Sequence, residues 1–599
     1  MIAKHGNHHR GFILPVVLFI LLIVGLLSAM FAFRVNADLA AVRAASLRMQ
    51  TRLAAEAGIE RAKLLLMTQR HEMSSWYDNP DELHRIIVWA ADGDANQWGT
   101  NSEELDEGSM VYRFSLVADD LTDDEDLVRF GLTDESSKLN LNLATERQLT
   151  KLVAAAVGDD LEVDQAEIVA AILDWRDADS KSRSGLSETE AVYYAKLDKP
   201  YAIKNGPFDT VEELLLVKGI TPQILYGEDA DRNGLLTENE DDGDASFPLD
   251  NEDGILDGGL YPYLTVNSYE DNVSNDNRPR IYLFGDQTVV REQLTEVFED
   301  EPEVVNFILN FVAGSRGAAR GQRGGANGSR DGGAQPTGGA GTNADNGGVD
   351  TGAPGVGTGN AEPDKSDSRR QRRPQRGNQL QQNGDATIGA GDAAESGNGD
   401  SPPDGTASQD AAAGAQEETG DARNTTGPIS TPVSLLLPRD PSGSLTTGPV
   451  KLEHLARLLD RTTVIGPDQP RLEGLINVNT APRRVLELIE GLSDDQINRI
   501  LEVRQTLDDE SLATFAWLAV EEVVDLETLE RIAPAITARG QQFTIESLGY
   551  ADHVGMVTRL QVMVDMAGPI AQTIYYRDVS YLGGGFPIRE QDLERVRGR

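Results

Sequence analysis

The sequence predicts an α+β protein with a long N-terminal helix, an antiparallel sheet, a large helical region and a disordered linker. Three features predict this class. An uncharged apolar run continues into a helical pattern, alternating segments lie near residue 110 and near the C-terminus, and a Gly-rich tract divides the chain. Alternation of apolar and polar residues is typical of strands, whereas apolar recurrence at every third or fourth position is typical of helices.

Composition excludes several kinds of site. The 599 residues include no Cys, so disulfides, thiolate nucleophiles and Cys-ligated zinc are excluded. With 54 Lys+Arg against 98 Asp+Glu, the formal net charge is −44, which disfavours a general nucleic-acid binder but suits hard cations bound through oxygen. Hydrolase motifs, phosphate loops and metal-ligating His spacings are missing, so we do not expect an enzyme.

The N-terminal part predicts a membrane helix that continues as a stem. Residues 12–33 carry no charge, and as a helix they would span ~33 Å, against ~30 Å for a hydrocarbon core. The basic segment 1–11 predicts that this end stays cytoplasmic, with a removed secretory signal peptide as the alternative. Residues 34–69 predict an amphipathic stem, continuous with the membrane helix or separated from it by a break. Its apolar positions are Val35, Leu39, Val42, Ala45, Met49, Leu53 and Ala57.

The first residues resemble a type IV prepilin leader. The motif is Arg10-Gly11-Phe12 followed at once by an apolar helix. In that family a membrane peptidase cuts after the glycine and the new N-terminus is methylated, so the resemblance implies cleavage between Gly11 and Phe12. The family usually has a glutamate five residues into the mature chain, where this sequence has Val16. A subunit without that carboxylate suits the tip of a filament, and the sequence therefore resembles the minor pseudopilin K of type II secretion systems.

An internal repeat adds to this resemblance. Residues 139–149 align with residues 476–486, and both begin with an apolar–Asn alternation before a helical pattern. Asn142 and Asn479 lie just before the helices, where an amide side chain can bind free backbone N–H groups, which is a structural role. The K family is similar in carrying an Asn-rich phrase before a helix.

Residues 229–240 fit the calcium-loop pattern D-x-[DN]-x-[DN]-G-x5-E at every defined position. Gly234 permits the sharp turn, and the other defined positions supply oxygen ligands. Flanking helices are not evident, so we do not predict an EF-hand domain. The predicted ligands are Asp229, Asp231, Asn233, the carbonyl of Leu235, Thr237 and Glu240.

A second, weaker loop follows the first. It would contribute Asp250, Asp253 and Asp257. The alternative for the whole region is a solvated acidic loop. Residues 227–258 hold twelve acids and one base, Arg232, and the mutual repulsion of the acids disfavours an ordered loop without a cation. The K-family resemblance implies calcium in the helical domain, and we predict calcium as the bound ion.

The resemblance also implies how the chain is divided. In a pilin-like fold the stem would pack on a small antiparallel sheet, into which the helical domain is inserted. The expected segments are 1–11 leader, 12–33 transmembrane helix, 34–69 stem, 70–137 first sheet region, 138–280 inserted helical domain with the calcium loop, 281–313 connecting segment, 314–430 disordered linker, 431–540 second helical part and 541–599 C-terminal strands.

The resemblance implies a non-enzymatic minor pseudopilin at the tip of a type II secretion pseudopilus, which helps to initiate assembly and export across the outer membrane. Expected partners are other minor pseudopilins, the inner-membrane assembly platform, the prepilin peptidase and the membrane, with no nucleic acid. The chain would cross the inner membrane once, with its bulk in the periplasm. A minor pilin of a type IV pilus is one alternative. The turns at 216–221 and 490–493 look like helix-hairpin-helix units and leave a membrane-anchored DNA-uptake receptor as another.

Overall fold

One unbroken helix, α1 (Ile13–Gln69), begins the computed structural model. Pro15 lies in its first turn, where the missing backbone N–H interrupts no helical hydrogen bond. The alternative of a separate stem helix is therefore wrong. The structure describes residues 13–91, 98–100, 110–119, 121, 128–157, 164–183, 190–237, 239–243, 245, 247–250, 254–324, 429–439, 445–568, 570–584 and 586.

Short elements follow α1 and lead into the helical region. Those of the first sheet region are α2 (Met73–Trp76), α3 (Pro80–Leu83), β1 (Ile86–Ala90), β2 (Val111–Asp119), β3 (Val128–Arg129) and β4 (Thr133–Asp134). The next are β5 (Leu139–Asn140), α4 (Glu146–Val157), α5 (Gln165–Arg176), α6 (Glu190–Ala195), α7 (Pro222–Tyr226) and β6 (Leu264–Thr265). Then come β7 (Tyr269–Asp271), β8 (Ile281–Tyr282), α8 (Gln287–Val297) and α9 (Pro302–Gly324).

The remaining elements end in three long strands. The second helical part contains α10 (Leu455–Arg461), β9 (Thr462–Thr463), β10 (Arg471–Glu473), β11 (Ile476–Asn477), α11 (Arg483–Leu486), α12 (Asp494–Val503), α13 (Asp509–Leu512), α14 (Trp517–Val520), α15 (Leu526–Ile532) and β12 (Ile536–Thr537). The chain's last strands are β13 (Gln542–Ala551), β14 (Met556–Asp565) and β15 (Gln572–Asp578).

Strands from both sides of the helical region form one antiparallel sheet. Its order is β1-β2-β13-β14-β15, with β3 beside β2 and β4 beside β13. The C-terminal part of α1 packs on this sheet around a core that includes Trp76, Phe114, Phe543 and Leu560. The predicted α+β class, with a helical domain inserted into a pilin-like sheet, is confirmed.

Two glycines permit the close approach of α1 to β13. A Cβ at Gly549 would lie 2.0 Å from the carbonyl oxygen of Thr51, and a Cβ at Gly58 would lie 2.4 Å from Oγ of Ser547. Ser547 Oγ also donates to the carbonyl of Ala55 at 2.8 Å. Backbone and helix are therefore nearly in contact at this crossing.

The face of α1 that packs differs from the predicted apolar stripe. Predicted positions that are exposed are Val35, Leu39, Val42, Met49 and Leu53. Positions that are buried are Ala54, Ala55, Ile59, Ala62, Leu65 and Leu66. The sheet covers only the C-terminal end of the helix, so the larger apolar side chains in the first part of the stem, from Val35 to Leu53, lie on the surface of this chain.

Strand β2 is buried on both faces, although its alternation predicts a half-buried strand. Arg113 is 3% exposed because its guanidinium contacts Asp552 at 2.8 Å and donates to the carbonyl of Arg85 at 2.7 Å. Ser115 Oγ accepts from the backbone N–H of Arg85 at 3.0 Å. The polar face is covered by neighbouring segments that satisfy its polar groups.

The sequence repeat is a structural repeat. In each copy the first Asn side chain accepts a backbone N–H two residues on, Asn140 from Asn142 and Asn477 from Asn479, both at 3.0 Å. In each copy a short strand pairs in parallel with the strand that closes the unit, β5 with β6 and β11 with β12. The residues that bind the turn are therefore Asn140 and Asn477, not the predicted Asn142 and Asn479. Asn142 accepts the backbone N–H of Phe208 at 2.7 Å, and Asn479 accepts the indole N–H of Trp517 at 2.9 Å, so both have a structural role through distant partners.

An arginine has the same role in both copies. Arg176 donates to the carbonyls of Leu141 and Ala144, and Arg504 donates to those of Val478 and Ala481. The copies differ after α7 and α15. In the second, the turn Ala533–Ala535 follows α15 directly, whereas residues 227–260 separate α7 from the equivalent turn, Tyr261–Tyr263. We call residues 227–260 the insertion loop; it contains the predicted calcium ligands.

The boundaries of the predicted linker differ from the structure. Helix α9 continues to Gly324, beyond the expected start at residue 314, and Ile429 is buried with Val312 in an apolar cluster. Residues 325–428, which make up most of the predicted linker, lie outside the described residues.

Candidate metal centre

Three carboxylates of the insertion loop converge. Oxygens of Asp229, Asp231 and Glu240 lie within 4.8 Å of one another. They occupy the first, third and last positions of the calcium-loop pattern, which are separated by as many as eleven residues in sequence. The loop has brought together the acids that the pattern predicts to share an ion.

Hydrogen bonds inside the loop hold these carboxylates in place. Asp229 accepts the backbone N–H groups of Asn233 at 3.0 Å and Gly234 at 3.1 Å. Glu240 accepts that of Ala230 at 2.9 Å, and both the N–H and the hydroxyl of Thr237, at 3.0 and 2.6 Å. The carboxylates at the two ends of the loop, Asp229 and Glu240, therefore both accept hydrogen bonds from residues inside it.

The middle of the loop has the backbone geometry of a tight turn. Asn233 Oδ1 accepts the N–H of Leu235 at 2.6 Å, and its Nδ2 donates to Asp231 at 3.0 Å. Gly234 has φ +69°, and a Cβ built there would lie 3.2 Å from Oδ1 of Asp119. A side chain at this position would be strained and would approach a neighbouring carboxylate.

Burial and mutual repulsion disfavour ionisation of these acids. Burial, with the charges of Asp119 and Glu240, raises the pKa of Asp229 from 3.8 to about 7. Burial, with the charge of Glu240, also raises the pKa of Asp231 to about 6. A bound cation would reverse both effects because it favours the charged carboxylates.

The donor set fits calcium. The ligands are carboxylate, amide and hydroxyl oxygens, which hard cations prefer. Oδ1 of Asp231 is buried and has no hydrogen-bond partner among the described residues, so it has an oxygen available for an ion. Asp229, Asp231, Asn233, the carbonyl of Leu235, Thr237 and Glu240 would hold calcium, which would supply positive charge to a buried acidic cluster.

The second predicted loop is placed differently. The Asp250 carboxylate accepts the backbone N–H groups of Asp242 and Gly243, at 2.9–3.0 Å. The backbone N–H of Asp257 donates to the Glu228 carboxylate at 3.1 Å, and its carbonyl accepts the backbone N–H of Glu228 at 2.7 Å. The Asp257 carboxylate lies 4.0 Å from Arg484. Neither joins the carboxylate group described above, and Asp253 lies outside the described residues. A second ion remains a sequence prediction.

The sheet contributes residues that sequence reasoning missed. Arg559 on β14 donates to the backbone carbonyls of Asp231, at 2.7 Å, and Arg232, and it pairs with Glu546 on β13. Asp119 ends β2 beside Gly234. The only sequence signal for Arg559 and Asp119 is a charged residue within a strand pattern. The contacts of Arg559 join segments more than 300 residues apart, which local patterns do not reveal.

A cavity of about 210 Å³ lies between the sheet and the helical region, beside the insertion loop. Asp229 and Arg232 line it from the loop, and Arg559 and Glu546 line it from the sheet. The guanidinium of Arg232 lies 4.3 Å from the ring centroid of Tyr226 and 5.5 Å from that of Tyr261. The loop's contact with the sheet is therefore charged and partly open.

The hairpin turn at 216–221 packs into the protein. Ile220 is buried, and a Cβ at Gly219 would lie 3.2 Å from the side chain of Ile168 on α5. Lys218 in this turn contacts Glu167. This geometry is that of a helix-packing turn, and the expectation of no nucleic-acid partner stays a prediction. The predicted processing residues, Gly11 and Phe12, lie outside the described residues.

One comparison with known protein families matches part of the helical region. Residues 128–226 match the family model of the type II secretion system protein K. Over these residues the chain is similar to that family. The match runs from β3 to the end of α7, and so includes the first helical repeat and stops where the insertion loop begins. The resemblance to protein K is confirmed by this match, which contains the first Asn block, residues 139–149.

The other comparisons are sparse. No curated protein matches the chain. The chain is similar to one in the crystal structure of the GspK-GspI-GspJ complex from the enterotoxigenic Escherichia coli type 2 secretion system, at 10% identity and a TM-score of 0.28. That similarity covers 90% of this chain and 98% of the other.

Proposed function

We propose that this chain is a non-enzymatic minor pseudopilin at the tip of the pseudopilus, where it helps to initiate assembly and protein export across the outer membrane. The family match over residues 128–226 carries the proposal and favours a secretion pseudopilus over a type IV pilus. It is supported by the pilin-like union of α1 with a sheet whose strands come from both sides of the helical region.

The long helix supports membrane anchoring. Among the described residues, α1 is the one helix long and apolar enough to cross a membrane. Val16, where related filament subunits carry glutamate, is exposed on this helix. We propose a single pass through the inner membrane, with the bulk of the chain in the periplasm and the assembly platform at the membrane.

Exposed apolar side chains beyond the membrane run support pseudopilin partners. Leu39, Val42, Met49 and Leu53 lie on the surface of α1 before it meets the sheet. An apolar helix face without cover in one subunit is typical of a surface that packs against another helix. We propose that other minor pseudopilins supply that helix.

The leader is tested by mass spectrometry of the protein purified from membranes. We expect a chain that begins at Phe12 and carries one N-methyl group, because the prepilin peptidase would cut after Gly11. In cells without the peptidase, the form that begins at Met1 should accumulate. An intact Met1 in normal cells, or a cut beyond Phe33, would contradict the pseudopilin proposal.

We also propose that the loop 229–240 binds calcium, supported by its three converging carboxylates. Extracellular loops of this type bind at ~10⁻⁴ to 10⁻³ M. Calcium at ~100 times the Kd should stabilise the folded protein by ~2.7 kcal/mol and raise its melting temperature. Thermal melts with calcium and with chelator measure this, and Glu240→Gln serves as the control that should lose the shift. Equal midpoints for the wild-type protein would refute the calcium site.

A further inference from the structure

Arg559 on the pilin-like sheet binds the backbone of the insertion loop. Arg559 lies in the middle of β14, and its Nη1 donates to the carbonyl of Asp231 at 2.7 Å while Nη2 donates to the carbonyl of Arg232. Asp231 and Arg232 are the third and fourth positions of the calcium loop. One guanidinium therefore fixes the backbone at Asp231, whose side chain is a predicted ligand.

The environment of Arg559 makes this attachment rigid. Its side chain is 2% exposed, and its Nε pairs with Glu546 on the neighbouring strand β13. Arg232, whose carbonyl it binds, has φ +56°, a conformation that non-glycine residues adopt at an energetic cost. A planar guanidinium with three partners in fixed directions can hold such a turn, because its donors form a rigid fork.

We propose that Arg559 is a positioning residue for the calcium loop, through which calcium binding and docking of the loop on the sheet become one coupled event. The inference rests on the calcium site proposed above. It goes beyond that site because the ligands lie in the insertion loop, whereas Arg559 lies in the pilin-like sheet. The sheet would thereby set the calcium affinity of the helical domain.

Coupling of this kind is reciprocal. If docking on β14 orders the loop for calcium, calcium must stabilise the docked arrangement by the same factor. The acids on the sheet side support this direction. Asp119 lies beside Gly234, so the loop meets further negative charge when it docks, whereas the charge of Glu546 is offset by Arg559. A divalent cation would offset that repulsion, and docking without calcium would be weaker.

The substitution Arg559→Lys tests the proposal in full-length protein held in detergent. Lysine keeps the charge for Glu546 but lacks the fork that reaches both loop carbonyls. Arg113→Lys is a matched control. Arg113 lies on β2 of the same sheet, is 3% exposed, pairs with Asp552 at 2.8 Å and donates to the carbonyl of Arg85 at 2.7 Å, but none of these contacts is with the loop.

Calcium titration calorimetry gives the readout. We expect Arg559→Lys to weaken calcium binding by about tenfold, which corresponds to ~1.4 kcal/mol, and Arg113→Lys to change it less than twofold. Unchanged affinity in Arg559→Lys would overturn the inference alone. Equal weakening in both variants would also overturn it, because general damage to the sheet would then be the cause. No calcium binding by the wild-type protein would refute the calcium site itself.

A second measurement needs no variant, so it stands even if Arg559→Lys does not fold. Amide hydrogen exchange of wild-type β14, Met556–Asp565, is compared with calcium and with chelator. We expect calcium to slow exchange in β14 as well as in the loop. Protection confined to the loop would overturn the inference, because docking and binding would then be independent.

Discussion

Glu270 on β7 offers the sharpest test of how the helical region is held together. Its carboxylate is buried and accepts Nη2 of Arg280 and Nη2 of Arg539, both at 2.6 Å, and the hydroxyl of Thr537 at 2.5 Å. Thr537 belongs to β12, which closes the second repeat, and Arg539 lies between that repeat and the sheet. The substitution Glu270→Gln removes the negative charge at this junction and leaves the half-buried guanidinium groups of Arg280 and Arg539 without their shared anionic partner.

The magnitude follows from the pKa of this carboxyl. Burial alone would raise the pKa, but Arg280 and Arg539 outweigh it and hold the value at about 2, against an ordinary 4.5. That difference corresponds to about 3 kcal/mol of folding stability. Because the folded-state pKa is depressed, this contribution is present above pH 4.5 and is lost as the pH falls towards 2. Glu270→Gln should therefore be about 3 kcal/mol less stable than wild type at pH 7, within the range for broken buried ion pairs.

Urea unfolding at pH 7 and at pH 2.5 checks this expectation. The stability difference between wild type and Glu270→Gln should shrink to about 1 kcal/mol or less at pH 2.5. At that pH most of the stability that comes from the depressed pKa of the wild-type carboxyl is lost. Glu296→Gln is the control. Glu296 pairs with Arg278 at 3.1 Å, but both side chains are exposed, so the loss should stay below ~1 kcal/mol. An equal gap for Glu270→Gln at both pH values would refute the reasoning.

Two further substitutions test the crossing of α1 and the repeat. Gly549→Ala should destabilise the sheet by about 2 kcal/mol or more in urea unfolding, because the new Cβ would lie 2.0 Å from the Thr51 carbonyl; Gly568→Ala, whose nearest atom is 3.8 Å away, should have little effect. Asn479→Ala should cost roughly 3 kcal/mol in the same assay, since the amide binds the Trp517 indole N–H and the carbonyls of Leu512 and Ala538. The exposed Asn498→Ala is its control, and equal losses in the two would show that the buried amide has no special role.

Features with a local sequence signal could be predicted. The strands at the C-terminus show alternation, and they form β13, β14 and β15 close to the expected positions. The predicted calcium loop has its candidate ligands within twelve residues, so spacing alone predicts that Asp229, Asp231 and Glu240 come together. Asn140 and Asn477 likewise act on a backbone N–H two residues away, where local turn chemistry decides the structure.

Features that depend on distant segments could not be predicted. The apolar stripe of the stem has the right period, yet the sheet covers a different face, because the position of the crossing is set by Gly549 and Ser547 on β13. Arg113 lies on the polar side of the alternation in β2, yet it is buried with Asp552, more than 400 residues away in sequence. Periodicity identifies an apolar face, but it does not say which part of the chain will cover it.

The comparison of the two repeats explains why the predicted calcium loop lacks a pair of long flanking helices. An EF-hand loop is positioned by the helices on either side of it, whereas this loop interrupts a repeat between α7 and the turn Tyr261–Tyr263. The second repeat closes without such an insertion, so the repeat itself does not need an ion. Both parts of the protein contact the insertion loop: Gln223 of α7 donates to the carbonyl of Leu249 at 2.8 Å, and Arg559 of the sheet donates to the carbonyls of Asp231 and Arg232. The insertion loop therefore joins the inserted helical domain to the sheet on which α1 packs.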